Sequence, residues 1–119
     1  MVSELDVFAA ENEERRPALL EGYYRVITSQ ALDVTLRGLA RVDCSFNPVH
    51  RLFRVDVLPV NTTTFNSCFS VHIHHDLAFE FEDVYQESIA NLELVKEFLS
   101  GLLEKGEPLL AYETQEEAA

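Results

Sequence analysis

Five segments alternate between apolar and polar residues, and this pattern constrains the fold more than any other feature of the 119-residue chain. Successive side chains of a strand point to opposite faces, so a period of two predicts strands with one buried and one solvated face. The links between the segments are short, which favours an antiparallel meander over parallel crossovers. The five segments are 31–37, 40–46, 53–57, 69–73 and 77–81.

Turn residues set the register that we predict for this meander, because residues opposite one another must share a face. Gly38 supplies the positive φ of a three-residue turn, which places Val34 opposite Val42. A second turn, formed by the two histidines and the aspartate that follow the fourth segment, places Val71 opposite Phe79. Each predicted hairpin therefore stacks its apolar residues on one face.

The N-terminal region predicts a short helix followed by one more strand. Ser3 and the carboxylates after it are typical of a helix start, and the helix is expected over 4–15. Pro17 cannot continue that helix, so we expect the chain to break there or to start a second short turn with Pro17 in its first position. Beyond Gly22, residues 23–28 are rich in aromatic and β-branched side chains and predict a strand.

The C-terminal region switches from a period of two to steps of three and four. Apolar residues at this spacing across 83–105 predict an amphipathic helix with a broad apolar face. Asp83 with Gln86 resembles a capping box at its start, and Gly106 followed by Pro108 is typical of its end. A sheet with one apolar face needs a cover in water, so we expect this helix to pack on it.

These elements together predict an α+β fold. It consists of an N-terminal helix, an antiparallel meander of about six strands in a curved sheet, and a long C-terminal amphipathic helix on the apolar sheet face. The length fits a single domain, which we place at 1–112. Residues 113–119 are expected to form an acidic flexible tail.

The chain is strongly acidic, with 21 acidic against 9 basic side chains and a net charge of −12. Residues 76–119 carry twelve acids and two bases, whereas 22–75 carry three acids and five bases. Such a surface repels phosphate, so we expect no direct nucleic-acid binding. No stretch of 18 or more apolar residues and no secretion signal is visible, which predicts no membrane partner and a cytoplasmic location.

We expect a non-enzymatic interaction module of the adaptor, chaperone or inhibitor type, which binds a basic protein surface through its clustered acids. Solvation alone also explains such clusters, so that interpretation stays open. A homodimer through apolar residues that fall off the core face is a further option. The acidic candidates are Glu80, Glu82, Glu87, Glu93 and Glu97. The apolar candidates are Tyr23, Leu52, Leu58 and Phe65.

A metal site built on His72 is one alternative, because imidazole is a common ligand of transition metals. The predicted register moves His74 and His75 into a turn, which leaves Glu80 and Glu82 as the nearest additional ligands. Both glutamates would lie on the solvated face of the last strand. Fewer than the usual three or four ligands converge there, so we predict no metal and no cofactor.

A ligand-binding or catalytic cavity between sheet and helix is the other alternative. It would need polar residues at inward strand positions, where only Cys44 and the small Ala40 depart from large apolar side chains. The chain contains no P-loop, dinucleotide-binding, zinc-protease or nucleophile-elbow motif. We therefore expect no enzyme activity.

The two cysteines and a charged cluster on the sheet are further candidates for chemistry. Cys44 and Cys68 lie 24 residues apart. A reducing compartment favours two small, inert thiols, and a disulfide between neighbouring strands is the alternative. Asp43 is predicted to lie opposite Asp56 with Arg54 diagonal to the pair. We interpret these three as a balanced surface network rather than an acid and base pair.

Overall fold

The chain forms three helices and three strands in a computed structural model, which describes the backbone of residues 4–61 and 69–110 and side chains from Arg16 onward. Ser3, the domain boundary at 112 and the tail 113–119 lie outside these residues. The predicted α+β class, with an antiparallel sheet between an N-terminal and a C-terminal helix, is confirmed. The elements are α1 (Glu4–Leu36), β1 (Arg41–Asn47), β2 (Leu52–Leu58), β3 (Phe69–His74), α2 (His75–Glu80) and α3 (Glu82–Lys105).

Helix α1 is much longer than predicted, with 33 residues and a length of about 50 Å at 1.5 Å per residue. The predicted break at Pro17 is wrong, and so is the predicted strand over 23–28 that follows Gly22. The chain remains helical through all of these positions. The reason is a second periodicity, in which apolar residues recur at steps of four and three. These residues are Leu20, Tyr24, Ile27, Ala31 and Val34, and all of them pack in or against the core.

The predicted strand over 31–37 is also wrong, and its alternation has a different meaning in the helix. Val34 is fully buried, whereas Leu32 and Leu36 on either side of it are 58% and 75% exposed. A strand would have buried all three on one face. The helix instead leaves two leucines in solvent.

Gly38 takes the predicted positive φ of 72°, but it ends a helix rather than turning a hairpin. The amide of Arg37 donates to the carbonyl of Asp33 at 3.0 Å, and the amide of Leu39 donates to the carbonyl of Val34 at 3.0 Å. Such bonds satisfy the last carbonyls of a helix when the following residue is left-handed. The predicted pairing of Val34 with Val42 therefore does not form.

The described sheet has three antiparallel strands in the order β1-β2-β3, not six. The predicted strands over 40–46, 53–57 and 69–73 are confirmed within one or two residues at each end. Val55 on the central strand lies opposite Cys44 on one side and Val71 on the other. The predicted pairing of Asp43 with Asp56 is also confirmed.

The fifth alternating segment, 77–81, is not a strand, so Val71 has no partner at Phe79. Residues through Glu80 form the short helix α2, in which Ala78 is fully buried. Leu77 and Phe79 on either side of it are exposed. As in α1, the residue between the apolar pair is the one that reaches the core.

Contacts after β3 hold the start of α2 against the β1–β2 connection, in which Arg51 lies. The amide of His75 donates to the carbonyl of Arg51 at 3.0 Å, which continues the pairing of β3 with β2 by one residue. The Arg51 side chain then pairs with Asp76 in the first turn of α2 at 2.8 Å.

Helix α3 follows the prediction in its body and its end, where Gly106 adopts a φ of 69°. Its start differs, because Phe81 precedes the helix without a side-chain cap and Gln86 bonds Glu82 instead of forming the expected capping box with Asp83. Two helices, α1 and α3, cover the apolar face of the sheet, whereas α3 alone was expected to do so. The largest fully buried side chains are Leu20, Ile27 and Val34 from α1, Val55, Val57 and Ile73 from the sheet, and Leu92, Val95 and Leu99 from α3.

A pair of glycine substitutions tests the extent of α1. Gly38→Ala should destabilise the protein by about 1 kcal/mol, because alanine resists a positive φ. Gly22→Ala should stabilise it by about 0.5–1 kcal/mol, since Gly22 lies inside the helix with nothing near an added Cβ. Urea unfolding measures both changes. No gain at Gly22 would contradict a continuous helix.

Candidate functional site

The acidic candidates do not form one surface, and the first pair lies on helices rather than on a strand. Glu80 ends α2 and Glu82 begins α3, so the expected solvated strand face that both would share does not exist. Glu80 is exposed. Glu82 forms an ion pair with Arg16 of α1.

Arg16 holds the first part of α1 against the α2–α3 junction. It is buried, it donates to the carbonyl of Phe79 at 3.2 Å, and its guanidinium lies 4.8 Å from the ring centre of Tyr85. A buried cation without an anion is costly, so Glu82 is needed as its partner. We therefore assign Glu82 to the fold rather than to a partner surface.

Glu93 is also engaged within the molecule. It accepts a hydrogen bond from the Tyr23 hydroxyl, and the Lys96 ammonium lies 3.7 Å from its carboxylate. Burial, together with this carboxylate, raises the pKa of Tyr23 to about 12. These contacts hold α1 against α3 and place Tyr23 at that seam.

The remaining acids of α3 define a surface that we name the acidic ridge: Asp83, Glu87, Glu97 and Glu104, with Leu94 between them. All five are exposed and recur at helical spacing along one face, over about 30 Å. Among the residues that the structure describes, none of the four carboxylates has an ion-pair partner. Glu87 and Glu97 belong to the predicted acidic set, whereas Asp83 and Glu104 were missed.

The predicted apolar patch is not assembled by the described residues. Leu52 is half-buried and Leu58 is buried, and both lie on the side of β2 opposite to Val55. Tyr23 packs at the α1–α3 seam and does not join them. Phe65 lies outside the described residues.

Exposed apolar side chains occur instead beside the start of the ridge. Leu77 and Phe79 in α2 and Phe81 between the helices are each about half exposed, at 45%, 45% and 50%. Glu80 lies among them in the chain. The alternation that suggested a strand thus marks exposed apolar residues before the start of α3, of which Leu77 and Phe79 lie on different sides of α2.

An open groove of about 770 Å³ lies between α1 and β1. Tyr24, Thr28 and Leu32 line it from the helix, and Cys44 and Phe46 line it from the strand. Cys44 is a free, half-buried thiol, and burial raises its pKa, which keeps it protonated and a poor nucleophile. This agrees with the expectation of an inert thiol, while Cys68 lies outside the described residues.

His75 lies beside the Tyr24 and Phe46 end of the α1–β1 groove. The Tyr24 hydroxyl lies 2.8 Å from its Nδ1, and its ring meets that of Phe46 edge-on at 6.2 Å. Burial lowers the pKa of His75, and the charge of Arg51 lowers it further against the opposing effect of Asp76. Burial raises the pKa of Tyr24 to about 12, so the hydrogen bond joins a neutral hydroxyl to the imidazole.

The other histidines do not converge with carboxylates. His72 is exposed on β3 opposite Arg54, and His74 ends that strand rather than lying in a hairpin turn. Glu80 lies in α2, and Glu82 is paired with Arg16, so neither is positioned beside His72. In residues 16–61 and 69–110 there is no group of three or more potential metal ligands.

The carboxylate of Asp56 is balanced by its neighbours. The Arg54 Nε lies 2.6 Å from one carboxylate oxygen, and the Ser70 hydroxyl donates to the other at 2.6 Å. Asp43 opposite it is exposed. The arrangement fits a structural network and offers no matched acid and base.

Comparison with protein-family models, with curated proteins and with solved structures finds no significant match to this chain. Across the described residues, no helix combines the length and the apolar character that crossing a bilayer requires. The features that remain to indicate a function are the acidic ridge, the exposed apolar residues beside it and the α1–β1 groove.

The burial of His75, together with the nearby charge of Arg51, makes stability depend on pH. The folded pKa of His75 is lowered, so the unfolded chain takes up its proton first as pH falls through about 6.5, and folding stability is lost below that value. The loss in unfolding free energy between about pH 7.5 and 5.5, measured with urea, should be smaller in His75→Gln than in the native protein. His72→Gln, an exposed control, should retain the native loss, and equal losses in all three proteins would contradict the assignment.

Proposed function

We propose that this protein is a non-enzymatic interaction module that binds a basic protein surface through the acidic ridge of α3. The observation that carries the proposal is the set of four exposed ridge carboxylates, none of which has an ion-pair partner among the described residues. Glu82, by contrast, is paired with Arg16 within the fold. The ridge acids are available to a partner.

The shape of the ridge favours an elongated basic partner with an apolar anchor. Leu94 is 55% exposed in the middle of the ridge, and the apolar residues of α2 flank its beginning. Charged groups of this kind provide steering and specificity, while apolar groups near the centre of an interface provide most of the affinity. A basic amphipathic helix meets both requirements.

The competing functions have weaker support. The α1–β1 groove has the volume of a small-molecule site, but it is open, and its rim carries Glu21 and Arg25, which pair with each other at 2.7 Å. A metal function would need ligands that the described residues do not bring together. The charge of the chain disfavours nucleic acid, and the free thiol of Cys44 fits a reducing compartment such as the cytoplasm.

Neutralising the ridge tests this function directly. The triple variant Glu87→Gln, Glu97→Gln, Glu104→Gln should bind a labelled amphipathic peptide of lysine and leucine about tenfold more weakly, since each exposed ion pair contributes about 0.5 kcal/mol. Fluorescence anisotropy measures the dissociation constant. Binding by the native protein should also weaken as salt is raised.

A second triple variant of the same net charge serves as the control. Glu21→Gln, Asp33→Asn and Asp43→Asn neutralise exposed acids on α1 and β1, away from the ridge. These changes should leave peptide affinity within about twofold of the native value. Equal weakening by both triple variants would show that total charge, and not the ridge, drives binding.

A further inference from the structure

Helix α1 covers the Val42 end of the sheet edge at β1, and the hydrogen bonds identify which groups along this edge face outward. The amide of Val42 donates to the Thr35 hydroxyl of α1 at 3.2 Å, so it points away from β2. Backbone groups alternate between the two sides of an antiparallel strand, so those of Cys44 and Phe46 also point outward. The described part of the chain supplies no partner for these two amides.

An open edge with unpaired amides is a template for another strand. Here it lies beside the α1–β1 groove, so an added strand would gain both backbone hydrogen bonds and side-chain contacts. One end of the groove is aromatic, with Tyr24 and Phe46. The other end carries the exposed Leu32 of α1, and the exposed Leu36 follows one turn later in the helix.

We propose that the partner at this edge is a second copy of the same chain, paired antiparallel along β1. Antiparallel pairing about a two-fold axis keeps both copies' helices on one face of the joined sheet. It also places the Val42 end of one strand near the Phe46 end of the other. The exposed leucines of each copy then enter the aromatic end of the partner's groove.

The charge distribution supports a second copy as the occupant. Residues 21–47, which form this side of the molecule, carry three acidic and three basic side chains, while the whole chain has a net charge of −12. Two copies that approached with their α3 ridges would repel each other. At the α1–β1 side, positive and negative groups balance, so this side permits self-association.

The test measures molar mass by light scattering across the micromolar range. The native protein should have twice the mass of the 13.5 kDa chain. Leu32→Lys places like charges at the proposed interface and should raise the dimer dissociation constant at least about tenfold. Leu94→Lys is the matched control, because Leu94 is similarly exposed but lies on the ridge of α3; it should leave the dimer intact.

Cross-linking tests the location of the interface. In a Cys44→Ser, Cys68→Ser background, a short bis-maleimide should join two copies through the exposed substitution Ser45→Cys in β1, and adding Leu32→Lys should abolish this product while circular dichroism stays unchanged. A monomeric native protein, a dimer insensitive to Leu32→Lys, or a monomer with a co-purified peptide at this edge would overturn the proposal. None of these results depends on whether the acidic ridge binds a basic partner.

Discussion

The architecture depends on covering one apolar sheet face. Strands β2 and β3 present Val55, Val57 and Ile73 on the same side, and each such side chain contributes about 1.5–3 kcal/mol when it leaves water. A single helix over a three-stranded sheet would leave part of this face wet. The long α1 and the amphipathic α3 complete the cover together, and the Arg16 and Tyr23 contacts hold the two helices in place.

Of the five alternating segments, the three that form strands have pairing partners, whereas the other two lie in helices. Alternation over five to seven residues is compatible with both, because the residue between two apolar ones can itself be the buried one. Val34 and Ala78 are such residues. Only a longer window separates the two cases, and from Leu20 to Val34 the spacing of four and three residues is helical throughout.

The candidate site was less predictable because its residues are sorted by contacts between distant parts of the chain. Tyr23 and Glu93 are 70 residues apart, and Arg16 meets Glu82 across a similar interval. Local patterns identify these carboxylates as acidic but do not show that each has an internal partner. Glu87 and Glu97 lie on the exposed face of α3, a position that follows from helix periodicity alone, while their role in binding a partner stays a prediction.

The two proposed surfaces share no residue, so self-association and binding of a basic partner need not compete. A two-fold dimer through β1 would carry two acidic ridges on one particle. Both ridges could then engage one extended basic partner, and the second contact would form at a high effective concentration. Weak, salt-sensitive ion pairs on each ridge would thereby add up to a stable complex without any tighter contact at either one.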